Sequence, residues 1–131
     1  MELTVVAAVV ATGLFAAMAA FQAALAAGAP LGAHVLGGRY SGVLPPRVRA
    51  FSAIAAVLLL AFAGVMLARA GVIGWPTGIA GPLPPAAWVI AGFLVLNTLG
   101  NLASKSHFER TVLAAATAAL AVLCGFVALA A

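Results

Sequence analysis

Residues 50–70 read AFSAIAAVLLLAFAGVMLARA, an apolar run in which the one charged residue, Arg69, stands next to the end. A helix needs about 20 apolar residues to cross the hydrocarbon core of a bilayer. Pro45 and Pro46 precede the run and Gly71 follows it, and such residues mark the boundaries of helices. The run therefore predicts a membrane-spanning helix.

Three more runs of the same kind occupy most of the remaining chain, over residues of about 3–27, 86–103 and 111–130. The composition agrees with this pattern, because 66% of the 131 residues are hydrophobic and 6% are charged. A soluble domain carries about 25% charged residues. We therefore predict an all-α fold, a single transmembrane domain over residues 1–131 that forms an integral membrane four-helix bundle.

The first run has an alternative interpretation as a cleaved signal peptide, because Ala24, Leu25 and Ala26 resemble a small-residue cleavage site. A signal peptide begins with basic residues, whereas this chain carries Glu2, and the run is longer than the apolar region of a signal peptide. We therefore predict that residues 3–27 are retained as a helix.

The cations are divided unequally between the predicted connections. With four spans, residues 28–49 and 104–110 lie on the same side, and they hold five of the six Lys and Arg residues. These five are Arg39, Arg47, Arg49, Lys105 and Arg110. Because cytoplasmic loops are enriched in Lys and Arg, we predict that both connections are cytoplasmic and that both termini lie outside. The abundant alanine indicates a bacterial genome of high GC content, hence the bacterial inner (plasma) membrane as the location of this multi-pass protein.

Polar side chains within the predicted spans are informative because lipid offers them no hydrogen-bond partner. Gln22 lies near the end of the first span, and Asn97 and Asn101 lie four residues apart near the end of the third. Together with Ser52 and Thr111 they predict a polar layer beneath the cytoplasmic surface. The amides either cross-link helices through hydrogen bonds, line a pocket for the polar head of a ligand, or are exposed at the interface.

The connection over residues 28–49 is rich in Gly and Pro, yet it keeps several apolar side chains. We expect an ordered cytoplasmic loop that packs back onto the bundle and brings His34, Arg39 and Tyr40 near the polar layer. Long ordered loops often carry function. The alternative is a loop on the membrane surface whose arginines contact lipid phosphates.

The connection over residues 104–110 contains Ser106 and Glu109 at the spacing of a capping box. A carboxylate in the first turn of a helix is also favoured by the helix dipole. Alternatively, Glu109 could pair with Arg47 or Arg49 and so hold the two connections together. The candidate ligand-binding residues are Gln22, His34, Arg39, Tyr40, Asn97, Asn101, Glu109 and Arg110.

Other kinds of site have weak support in the sequence. His34 and His107 could ligate haem or a metal ion, but they lack the helix-spaced ligands and carboxylates of such sites. Cys124 is the single cysteine, so an internal disulfide is excluded. The cations stand at the ends of apolar runs without interleaved aromatic residues, which disfavours nucleic-acid binding. We predict no metal, no cofactor, no nucleic-acid partner and no catalytic residue.

Two parts of the chain resemble a known group of proteins. The first comprises AGAPLG (residues 27–32), GGR (37–39) and GVLPPRVR (42–49), and the second is NTLGNLASKSHFER (97–110). Both resemble a widespread group of uncharacterised small four-helix bacterial integral membrane proteins, known as hypothetical membrane proteins. The resemblance implies an architecture and no activity.

These observations favour a binding or accessory protein over an enzyme. It would hold a lipid-like ligand in the bilayer or join a homo-oligomer or a larger membrane complex. One alternative is a small transporter of the multidrug-resistance type, but that family relies on a membrane-embedded glutamate in its first helix, where this chain has Gln22 and no acid. The other is a membrane enzyme acting on lipid head groups, which would need Glu109, His34 or His107 to converge within hydrogen-bond reach.

Overall fold

The computed structural model describes residues 2–75 and 83–131. The fold is all α, and its helices are α1 (Leu3–Ala27), α2 (Pro46–Arg69), α3 (Leu83–Leu102) and α4 (Ala114–Ala130). Short turns of 3₁₀-helix, Gly32–His34 and Leu36–Gly38, lie between α1 and α2, and a π-helical turn, Glu109–Leu113, leads into α4. Within the described residues four helical segments are long and apolar enough to cross a membrane. They are α1, α2, α3 and a fourth helical segment, Glu109–Ala130, which comprises the π-helical turn and α4.

The prolines explain where the second and third helices differ from their predicted bounds. α2 begins at Pro46 rather than at residue 50, because the fixed φ of proline suits the first position of a helix. Arg47 and Arg49 therefore lie in the first turn of α2 and not in the preceding loop. α3 likewise begins at Leu83, so that Pro84 and Pro85 lie in its first turn instead of before it.

Small residues form much of the core between the helices. Ala8, Ala11 and Phe15 of α1 are fully buried, as are Leu120 and Cys124 of α4. Small side chains allow helix backbones to approach closely, which is how helices pack when no water drives them together. Met66 of α2 and Ala87 of α3 are also fully buried, so all four helices contribute to the core.

The helices do not contact one another equally. α1 packs mainly against α2 and α4, and α3 packs mainly against α4, whereas α2 and α3 contact each other little. The rings of Phe15, Phe62 and Phe93 join α1, α2 and α3 edge to face, with centroids 6.1 and 5.7 Å apart. Beyond these rings α2 and α3 make few contacts, and we call the interval between their facing surfaces the cleft.

The outer surface of the bundle is apolar. Val57 of α2, Leu96 of α3 and Val122 of α4 are 67%, 69% and 72% exposed. Monomeric soluble proteins rarely expose contiguous apolar patches of large area. Such a surface is stable where its surroundings are themselves apolar, as in a bilayer.

Arginines stabilise the carboxyl ends of helices at both ends of the bundle. We call the end that carries residues 28–45 and 103–106 the loop end. There the Arg49 Nε donates to the carbonyl of Ala26, near the end of α1, at 3.0 Å. At the opposite end, Arg69 Nη2 donates to the carbonyl of Ala128 at 3.4 Å. A cation is favoured at the carboxyl end of a helix by its dipole.

Candidate functional site

The connection between α1 and α2, residues 28–45, is called the first loop. The carboxylate of Glu109 joins this loop to the start of the fourth helical segment. Its Oε2 accepts from the backbone N–H of Leu36 at 3.0 Å, and its Oε1 accepts from the N–H of Gly37 at 2.9 Å and from the Ser104 hydroxyl. Leu36 and Gly37 have left-handed φ values of 51° and 69°. Successive N–H groups in such turns form a concavity that binds anions. Glu109 is therefore the anion held by this backbone.

Ser106 makes a second link between the same two segments. Its hydroxyl donates to the carbonyl of His34 at 2.6 Å and accepts from the N–H of Glu109 at 3.4 Å. The hydroxyl thus caps the helix, but the reciprocal half of a capping box is absent because the Ser106 N–H donates to Ser104 Oγ at 3.0 Å. The carboxylate of Glu109 takes backbone partners in place of the predicted arginines.

The first loop has a small apolar core of its own. Leu25, Val35 and Leu44 are buried together, with Tyr40 packed against them. Gly32 donates its N–H to the carbonyl of Gly42 at 2.8 Å. A Cβ at Gly32 would lie 2.6 Å from that carbonyl oxygen, so a side chain does not fit there. Backbone contact at Gly32 and apolar burial together fold the loop onto the ends of α1 and α2.

Three aromatic rings pack against one another at the loop end. Phe108 lies between Phe21 of α1 and His34 of the loop, with centroid distances of 5.4 and 5.9 Å. His34 is exposed. Its imidazole packs edge to face on Phe108 and makes no acid–base pair with Glu109 among the contacts of the described residues.

A cavity of about 250 Å³ lies inside the loop end. Its lining is mostly apolar, and the apolar side chains come from α1, the first loop, α2 and Leu113. The polar lining residues are Gln22, Ser52, Asn97, Asn101 and Glu109. The structure therefore gathers the three amides of the predicted polar layer around one space, and we call this space the pocket.

A wider opening adjoins the pocket beside the end of α3. It measures about 370 Å³ and shares Leu36, Asn97, Asn101 and Glu109 with the pocket, so the two spaces are adjacent. Gly37 and Ser104 complete this mouth together with Gly100. The pocket is thus closed on one side by the folded loop and open on the side of α3.

The two asparagines also take part in a hydrogen-bonded cross-link between α3 and α4. Asn101 Nδ2 contacts Asn97 Oδ1 at 3.3 Å and Thr117 Oγ1 at 3.5 Å, and the Thr98 hydroxyl contacts Thr117 Oγ1 at 2.9 Å. Thr117 is fully buried. Two predicted roles of the amides, cross-linking helices and lining a pocket, therefore occur together.

Sequence reasoning missed Thr98 and Thr117. The available signal was weak: Thr117 interrupts the fourth apolar run, and Thr98 follows Asn97 directly. Thr111, predicted in the same polar layer, is not among the residues that line the pocket. Thr111 is exposed, and its hydroxyl donates to the carbonyl of His107 at 2.7 Å.

The predicted ligand-binding residues divide into two sets. Gln22, Asn97, Asn101 and Glu109 line the pocket. The remainder do not: Arg39 and His34 are exposed, Tyr40 packs in the loop core, and Arg110 Nη1 donates to the carbonyl of Ser104 at 3.1 Å.

The charges around the pocket are unevenly placed. Among the described lining residues Glu109 is the charged one, and no Lys or Arg is among them. Arg39, Arg47 and Lys105 are exposed at the same end of the bundle. In the described part of the chain no group of three His, Cys, Asp or Glu is placed to hold a metal ion. The site offers hydrogen bonds and apolar surface.

Comparisons with known protein families, with curated proteins and with solved structures find no match for this chain. The geometry and chemistry of the pocket are therefore the basis for the function proposed below.

Proposed function

We propose that this chain is an integral protein of a bacterial inner membrane and that its pocket binds a lipid-like amphiphile. Its long apolar helices and exposed apolar surface support a location in the bilayer. Five of its six Lys and Arg residues lie at the loop end, either in the connections or in the first turns of the helical segments that follow them. By the positive-inside rule, the loop end faces the cytoplasm and both termini lie outside.

The composition of the pocket lining carries the proposal. Met18, Leu25 and Ala55 provide apolar surface, whereas Gln22 and Asn97 provide amides at the same site. Ligand pockets are mostly apolar with a few polar groups that fix orientation. A lining of this kind suits a molecule with an apolar chain and a polar head.

The size of the pocket indicates how such a molecule would be held. A cavity of about 250 Å³ is slightly smaller than the pockets of about 300–1,000 Å³ that bury a drug-sized ligand. This accommodates a head group and the first part of a chain, but not a whole lipid. The rest of the chain must leave the bundle.

The cleft between α2 and α3 is the route by which the chain would leave. Phe51 of α2 lines the pocket and is also 66% exposed on the outer surface of the bundle. Across the cleft, Asn97 of α3 lines the pocket and is exposed. An amphiphile could therefore enter sideways from the bilayer without crossing water.

A matched pair of variants tests the binding function. Ala55→Phe places a large side chain in the pocket lining, whereas Ala53→Phe places the same side chain on the exposed face of α2. Full-length protein is purified in a mild detergent and analysed by native mass spectrometry. We expect the wild type and Ala53→Phe to retain an amphiphile that Ala55→Phe loses. Equal retention by both variants, or no retained amphiphile in the wild type, would contradict the proposal.

The orientation is tested separately by cysteine labelling in whole cells. Cys124 is buried, so new cysteines can be introduced into the native chain at exposed positions. We expect a membrane-impermeant maleimide to label Ala131→Cys in intact spheroplasts, and to label Ser41→Cys only after lysis. The reverse pattern would place the loop end outside.

A further inference from the structure

Four of the five polar residues that line the pocket are uncharged. Gln22, Asn97 and Asn101 carry carboxamides, and Ser52 carries a hydroxyl, so each can both donate and accept hydrogen bonds. Part of this capacity is used between Asn97, Asn101 and the buried Thr117. In the described chain no such cross-link engages Gln22 or Ser52, which line the pocket from α1 and α2.

An anionic head group is disfavoured by the carboxylate of Glu109, which lines both the pocket and its mouth. No cation among the described lining residues offsets this charge. The backbone concavity at Leu36 and Gly37 could otherwise receive an anion, but Glu109 itself occupies it. A second negative charge nearby would be repelled without compensation.

A cationic head group is disfavoured for different reasons. The oxygens of Glu109 already accept three hydrogen bonds from the protein. A cation would lose its hydration in a largely apolar cavity, which is costly without a free counter-charge.

From this chemistry we infer that the head group bound in the pocket is uncharged and both donates and accepts hydrogen bonds, as an alcohol or an amide does. The inference rests on the proposed function, because it specifies the ligand class of the same pocket. Carboxamides and hydroxyls satisfy such a head group directly, so that neither partner is left buried and unpaired.

Three photoreactive probes that share one alkyl chain test the inference. Each carries a diazirine on a hexadecyl chain, and the heads are a hydroxyl, a sulfate and an ammonium group. Full-length protein is reconstituted in phosphatidylcholine vesicles, which carry no net charge, and the probes are compared at equal membrane concentration. Cross-linked sites are mapped by mass spectrometry, and Ala55→Phe and Ala53→Phe serve as the pocket-filling variant and its control.

We expect the hydroxyl probe to label the pocket residues at least about tenfold more than either charged probe, a difference of about 1.4 kcal/mol. Ala55→Phe should abolish this labelling, and Ala53→Phe should preserve it. Equal or stronger labelling by the sulfate or the ammonium probe, still sensitive to Ala55→Phe, would overturn the head-group inference and leave amphiphile binding intact. If no probe gives labelling sensitive to Ala55→Phe, the proposed binding function itself fails.

Discussion

Replacing Glu109 by alanine removes the acceptor that holds the first loop against the start of the fourth helical segment. The substitution deletes the hydrogen bonds from the N–H groups of Leu36 and Gly37 and from the Ser104 hydroxyl. The hydrogen bond from Ser106 to the carbonyl of His34 remains. We therefore expect the loop to open locally while the four helices stay folded.

The expected increase in loop opening follows from the two hydrogen bonds that Glu109 accepts from the backbone of the loop. A hydrogen bond to a charged group contributes about 1.5–3 kcal/mol, and the lower value applies because the Leu36 bond is exposed. Two such bonds give about 3 kcal/mol. The left-handed φ of Leu36 strains the closed loop equally in both proteins, so this strain cancels from the comparison. Since 1.4 kcal/mol is a factor of ten, loop opening should become about 100-fold more frequent.

Hydrogen–deuterium exchange read by mass spectrometry measures this opening directly. In Glu109→Ala we expect the amides of Leu36 and Gly37 to exchange about 100-fold faster than in the wild type, in the same detergent or nanodisc. Glu2→Ala is the matched control, because Glu2 is the other acid of the chain and its side chain caps no helix. Exchange in the cores of α1 and α4 should be unchanged in both variants.

One result would refute this reasoning. If the amides of Leu36 and Gly37 exchange at the same rate in Glu109→Ala and in the wild type, the carboxylate is not what orders the loop. A loss of protection throughout α1 and α4 would instead mean that Glu109 supports the whole bundle.

Two further substitutions test individual contacts. Gly32→Ala should destabilise the loop by about 1–3 kcal/mol, measured by thermal unfolding in detergent and by loop exchange, because the new Cβ would lie 2.6 Å from a backbone oxygen. Its control, Gly92→Ala, meets nothing within 4 Å and should be neutral or stabilising; equal effects of the two would contradict the steric argument. Thr117→Val should lower stability by about 0.6–1 kcal/mol through the lost bond to Thr98. Thr12→Val, whose hydroxyl bonds only within α1, should change stability little, and a larger loss there than at Thr117 would count against the cross-link.

The four helices could be predicted because hydropathy reports a physical requirement. A segment in a bilayer must be apolar over about 20 residues and satisfy its own backbone, and both conditions are visible in composition. The ends of α2 and α3 were less predictable, since a proline can either precede a helix or occupy its first turn. Pro46 and Pro84 lie in first turns, so both helices start earlier than the apolar runs.

Part of the site could be predicted for a similar reason. Gln22, Asn97 and Asn101 stand out against an apolar background, and they do line one pocket. The partners of Glu109 could not be predicted, because backbone N–H groups exist at almost every residue. Only the tertiary fold selects those of Leu36 and Gly37, whose left-handed turns leave little trace in a chain rich in glycine.

The contacts of Glu109 also set an order of events during biosynthesis. Leu36 and Gly37 precede it by 73 and 72 residues, so the first helical hairpin leaves the ribosome long before the carboxylate that will fix its loop has been made. Chains grow from the amino end at about 5–20 residues per second, which leaves that loop without its anchor for several seconds. During this interval the nascent loop is available to proteases and insertion factors. The pocket can thus mature only after residues 109–113 have been made, which is later than the helical hairpin that supplies most of its lining.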